Sequence, residues 1–196
     1  NAAGDDRWQE KLKYMARSKL LENSVYNLAL IMTNDKRLAN FGFNEMANAV
    51  QVTGKLPWSR PDNMKFWRDA DTAHLKAWLD INYLPFSSRN HDVVFTGVAD
   101  NRRFHPVRNY LDSLEPWDKK PRLETFFIER FMADDTRYVR LVSRKTFVAA
   151  VARIYRPGTK FDHILTLDGI QGIGKSTVWK VMAGIEYFSD ALSLTD

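Results

Sequence analysis

Residues 161–184 read FDHILTLDGIQGIGKSTVWKVMAG. Ile164, Leu165 and Leu167 form a short apolar run that suits a buried strand. Gly169-Ile170-Gln171-Gly172-Ile173-Gly174-Lys175-Ser176 then follows the spacing G-x-x-x-x-G-K-[ST], that of a phosphate-binding loop. The glycines permit backbone angles that a Cβ penalises. They turn successive amides inward as an anion cradle, and a helix opening at Lys175 adds the positive end of its dipole. Gly169, Gln171, Gly172, Ile173 and Gly174 are the expected backbone contacts to ATP. Lys175 is expected on the β- and γ-phosphates and Ser176 on Mg²⁺, the two residues we expect to be catalytic. Thr177 is placed to donate to the α-phosphate. Val178, Val181 and Met182 share one face of that helix, which should end near Gly184. The plainer alternative is a glycine-rich turn that only shares these letters.

Only 21 residues follow Lys175 (196 − 175). A phosphate-loop domain needs a parallel sheet around its first strand, with long crossovers, and a second carboxylate motif for the metal. Nothing after Lys175 has that form. We therefore expect a piece of a longer protein, ending soon after the loop, with weak nucleotide binding and no hydrolysis of its own.

Upstream the chain reads as helix. Trp8, Leu12 and Met15 begin an apolar pattern that continues through Leu20, Leu21, Val25 and Leu28, predicting helix over 7–32 with a break at Asn23-Ser24. Ala49 to Val52 followed by Thr53-Gly54-Lys55 predicts a β-hairpin with Gly54 in its turn. Asp69 or Asp71 can cap a helix that Pro85 stops. Further helices are expected at 88–101, from His105-Pro106 with Val107, Tyr110, Leu111 and Leu114 as its stripe, and at 123–132. A long one, capped by Asp134, Asp135 or Thr136, should run to Tyr155 before Pro157-Gly158. Its apolar stretch 147–152 should be buried. The expected fold class is α+β: a mainly helical accessory domain at 1–160, with a small hairpin, and the truncated start of a phosphate-loop domain at 161–196.

Net charge is +5, from 29 Lys and Arg against 24 Asp and Glu. Residues 137–161 hold seven cations and no acid, which suits a polyanion. Arg137, Arg140 and Arg144 share one helix face there and are the candidate nucleic-acid contacts, the alternative being a solvated face. Basic and aromatic residues also interleave from Lys55 through Trp58, Arg60, Lys65, Phe66 and Trp67 to Arg68. Single-strand binding uses such a mixture, but we read the Trp rings as core and the charges as facing water. Asp112, Glu115 and Asp118 read as solvated, His105 as a helix cap, His163 as a strand-edge residue near the loop, and the Phe126, Phe127, Phe131 stripe as core.

The absence of Cys excludes disulfides and thiolate metal sites. None of the four His sits four residues from another, against a helical metal pair. No apolar run approaches a membrane span, and no signal pattern opens the chain. Asn1-Ala2 reads as the remnant of a purification tag.

Residues 101–123 (NRRFHPVRNYLDSLEPWDKKPRL) and 150–177 (AVARIYRPGTKFDHILTLDGIQGIGKST) together resemble the virulence-associated protein E family of phages, prophages and mobile islands. The resemblance rests on Asn101, Phe104-His105-Pro106-Val107, Tyr110-Leu111, Trp117-Asp118, Ala150 to Arg153, Pro157-Gly158, Lys160 to Asp162 and the loop. It extends to Tyr187-Phe188-Ser189-Asp190. Lys119 departs from it, standing where the family usually has Gly. The resemblance implies a helicase-like, ATP-driven protein of mobile-element DNA replication in the bacterial cytoplasm. It further implies DNA and a primase as partners, and a ring of subunits in which a neighbour supplies an arginine. A second reading is a helical module that binds nucleic acid or a replication partner, with a silent loop. A small-molecule kinase fits less well, since such enzymes usually carry this loop near the start of the chain.

Overall fold

The computed structural model describes residues 6–185, 187 and 188. The chain divides into two compact units, Asn1–Glu115 and Pro116–Asp196. The change of sequence character at 160 lies inside the second.

The first unit contains a 3-10 turn at Asp6–Lys11, helix α1 (Val25–Asn34), strands β1 (Phe41–Asn44) and β2 (Ala49–Val52), and helices α2 (Asp69–Asn82), α3 (Ser88–Asn101) and α4 (Pro106–Asp112). Ser24 caps α1, its side chain accepting from the Asn27 amide, as the break at Asn23-Ser24 suggested. The expected helix before it does not form. Residues 13–22 fold into a tight hairpin, with Met15 N donating to Leu20 O and Glu22 N to Lys13 O. The cause is the fully buried Asn27, whose Oδ1 accepts from Lys13 N (2.8 Å) while its Nδ2 donates to Lys13 O and Glu22 O. Those bonds hold the backbone apart from any helical pattern.

β1 and β2 pair antiparallel, Phe41 opposite Val52 and Asn44 opposite Ala49. Strand 49–52 forms as expected, but it is the second strand of the hairpin and not the first: the turn lies at 45–48 before it, not at Gly54 after it. Asn44 Oδ1 accepts from Met46 N and Ala47 N, an Asx turn, and Asn48 takes φ 50°. Gly42 lies against the backbone after α3: a Cβ there would stand 2.2 Å from Arg102 O. Arg102 is half-buried and donates to the carbonyls of Met32, Thr33 and Leu38, closing the C-terminal end of α1. Leu28, Ile31, Met32, Leu38, Phe41, Leu75 and Leu79 make the centre of the core. α4 begins at Pro106, and His105 caps it, Nδ1 accepting from Arg108 N as expected. Its apolar stripe is not covered, since Tyr110 and Leu114 are exposed.

The second unit holds α5 (Phe126–Phe131), α6 (Arg137–Tyr155) and α7 (Lys175–Ala183). Thr136 caps α6, its hydroxyl accepting from Val139 N. Phe147 packs on Phe126 and Phe127 with centroids 4.9 and 5.9 Å apart. Stretch 147–152 is nevertheless not buried all round. α5 covers one side, and Val148 and Val151 face outward. Residues 164–167 form no strand, and among the described residues of this unit no strand exists for them to pair with. Of the expected strand, loop and helix, only a loop and α7 are present among the described residues.

Candidate functional site

Residues 169–174 form a loop that runs into α7. Asp168 Oδ1 accepts from Gly169 N at 2.9 Å, turning the chain at the loop entrance. Gly172 (φ 91°) and Gly174 (φ 85°) both occupy the left-handed region, which costs an L side chain about 1–2 kcal/mol. No other heavy atom lies within 4 Å of where a Gly172 Cβ would stand. A side chain there would project into open space. Gly174 is the N-cap of α7, and Val178 N closes the first turn on Gly174 O at 3.1 Å. The amides of Lys175, Ser176 and Thr177 open the helix ahead of that bond, where helical partners are lacking by construction.

Lys175 folds back over the loop. Its Nζ donates to Gly169 O (2.6 Å) and Ile170 O (2.9 Å). An ammonium has three hydrogens, so these bonds leave one.

Two hollows flank the loop. The larger, about 1040 Å³, runs along 161–170 beside α6 and is lined among others by Tyr138, Val142, Phe161, Leu165, Asp168 and Lys175. The smaller, about 270 Å³, is lined by Ser176, Thr177, Lys180, Ile185 and Phe188. Lys175 thus lines one hollow, and Ser176 and Thr177 line the other. Lys180 is a lining residue that the motif does not name. Its place four residues after Ser176 and three after Thr177 was the available signal. Gln171 and Ile173 lie in the loop as expected, both exposed.

Arg137, Arg140 and Arg144 all lie on α6, but two of them are already engaged. Arg140 Nε and Nη2 grip Asp135 at 2.6 and 2.7 Å, and Arg144 reaches Glu124 at 3.3 Å. Asp118 likewise pairs with Arg122 and accepts from Lys120 N, a turn-forming job. His163 is exposed, its ring edge-on to Phe161.

The interleaved basic and aromatic residues of the first unit converge on one carboxylate. Asp71 is fully buried and receives Trp58 Nε1 (3.1 Å), Arg60 Nε (2.9 Å) and both the backbone N and Nε of Arg68. Burial alone pushes its carboxyl up, but the hydrogen bonds from Arg68, Arg60 and Trp58 outweigh that and hold it far below the usual range. Trp67 Nε1 donates to Thr72, and its ring packs on Phe41 and Phe95. Trp58 and Trp67 pack against the core, as read from the sequence, but Phe66 is exposed, and Arg60 and Arg68 turn onto Asp71 rather than to water.

Among the described residues no group of three His, Asp or Glu side chains is placed to hold a metal ion. Any Mg²⁺ at Ser176 would take most of its oxygens from phosphate and water, a normal arrangement for this ion. No described helix is long and apolar enough to cross a membrane. Ser189 and Asp190 of the resemblance, and Asn1-Ala2, lie outside the described residues.

Residues 111–196 match the family model of the virulence-associated protein E-like domain, the family that the sequence motifs resemble. The matched segment takes in α5, α6, the loop and α7. No curated protein matches the chain.

Proposed function

We propose that this chain is the loop-bearing part of a helicase-like, ATP-dependent DNA replication protein of a phage or mobile element, working in the bacterial cytoplasm. The observation that carries the reading is the loop itself. Positive-φ glycines, an opening helix and a lysine anchored on the loop's own carbonyls occur together at the motif's spacing. The family match over 111–196 supports the setting.

In this reading the amides from Gly172 to Ser176 hold the β- and γ-phosphates of ATP, and the remaining N–H of Lys175 meets a phosphate oxygen. The carbonyls of Gly169 and Ile170 keep that ammonium in place. Ser176 supplies one oxygen to Mg²⁺, and Thr177 and Lys180 flank the α-phosphate side. ATP supplies a phosphoryl bond whose cleavage can drive movement on DNA. Arg137, Arg140 and Arg144 are the helix face offered to DNA, Arg140 and Arg144 exchanging carboxylates for phosphates. A subunit ring, a neighbour's arginine and a primase partner complete the proposal.

A second reading, a binding module with a silent loop, draws on one observation. Lys175 lines one hollow, and Ser176 and Thr177 line another. Titration of a fluorescent ATP analogue with Mg²⁺ into the chain separates the two. The first reading expects saturable binding that Lys175→Ala weakens at least about tenfold, because a charge-assisted bond to phosphate is lost. Absence of binding, or equal binding by the variant, favours the silent module.

A further inference from the structure

The hairpin at 13–22 belongs to neither the loop nor the arginine face. Residues 11–19 read KLKYMARSK and hold four cations and no acid. Met15 N to Leu20 O (2.8 Å), Lys19 N to Met15 O (2.9 Å) and Glu22 N to Lys13 O (3.0 Å) close the turn, and Lys19 takes φ 53°. Buried Asn27 bonds to the backbone of both legs, so the turn is fixed to α1 at its base.

Glu22, at the base of the second leg, is the one acid in 13–22. Among the described residues Lys11, Arg17 and Lys19 make no ion pair, whereas Arg140 and Arg144 each hold a carboxylate. Rings stand beside these cations. Tyr14 is 57% exposed on one leg, and Tyr26, on the first turn of α1, is exposed with Lys13 Nζ 4.4 Å from its ring centroid. A protein core gains nothing from this arrangement. An extended polyanion with flat, stackable groups does.

We propose that the 13–22 hairpin is a contact for single-stranded nucleic acid. Lys11, Arg17 and Lys19 meet successive phosphates, and Tyr14 with Tyr26 stacks on bases. The inference goes beyond the proposed ATPase and uses none of its ATP-binding residues, so failure of the hairpin variants here and failure of the nucleotide titration are separate results.

The test is fluorescence anisotropy of a labelled oligothymidylate with the full chain, without nucleotide, over a salt series. Arg17→Glu with Lys19→Glu should weaken binding at least about tenfold and flatten the salt dependence by roughly 0.7 logarithmic units per lost phosphate contact. Tyr14→Ala should weaken it about fivefold or more with the salt slope unchanged, as lost stacking requires. Unaltered melting temperatures show that the variants fold. Should the reversal variant disturb the turn, Lys11→Gln with Arg17→Gln repeats the measurement without introducing repulsion. Unchanged affinity in the variants, no binding by the parent chain, or a loss seen only with vesicles of anionic lipid would overturn the proposal.

Discussion

Asp71 shows how a single residue can decide what its neighbours are for. By composition alone, Trp58, Arg60, Trp67 and Arg68 suit a nucleic-acid surface. In the structure the two arginines and Trp58 satisfy one buried carboxylate, and Trp67 is tied to Thr72. Removing a partner from a buried charge network costs about 3–5 kcal/mol, so Asp71→Asn should lower the stability of the first unit by an amount of that order in denaturant titrations. The pH dependence has a definite sign. Asp71 is held below its ordinary value, and so is Asp35, where burial is outweighed by bonds from Arg37 and Tyr83. Depressed carboxylates contribute stability that is full above their unfolded value, about 3.9, and is lost as pH falls below it towards the folded values. The parent chain should therefore weaken progressively below about pH 4, and Asp71→Asn should show a shallower acid limb. An identical limb would remove Asp71 from this account.

At the scale of elements, the sequence is legible wherever the signal is local. Ser24, His105-Pro106, Thr136 and Pro157-Gly158 mark helix ends that the structure confirms, and helix 88–101 has the bounds its pattern predicts. One error arises where a distant group decides, another where two local signals compete. Asn27 bonds to backbone 14 residues away and removes the first helix, a contact that no periodicity reveals. The turn at 45–48 was readable from Asn44 and Asn48, but Gly54 outweighed them as a punctuation signal. Lys119, the departure from the family pattern, stands at φ 63°, a conformation that glycine adopts freely. Lys119→Gly should thus raise the stability of the second unit by roughly 0.5–1 kcal/mol, the relief of left-handed strain exceeding the entropy that glycine adds to the unfolded chain. Gly42→Ala should do the opposite in the first unit, costing about 1–3 kcal/mol as β1 is forced off Arg102. Thermal melts of the two variants check both signs.

At the scale of the whole molecule, the two units differ in how completely they bury themselves. α1 and α3 each contribute several buried residues to a shared core. Residues 161–185 contain none, and Ile164, Ile170, Val181 and Ile185 are largely exposed. That contrast explains why the expected strand is not realised: the glycines and Lys175 interact within eight residues, but a strand needs a neighbour. It also fixes an order of local stability. Amides of α1 and α3 should exchange with deuterium slowest, and those of 161–185 fastest, in the chain without nucleotide.

The same exchange experiment, repeated with Mg²⁺ and ATP, tests the central claim that 169–177 is a phosphate cradle. Binding should slow exchange across 169–177 and the first turn of α7 in the parent chain, and leave Lys175→Ala unchanged. Identical exchange of those amides with and without nucleotide, or protection that persists in Lys175→Ala, would contradict it.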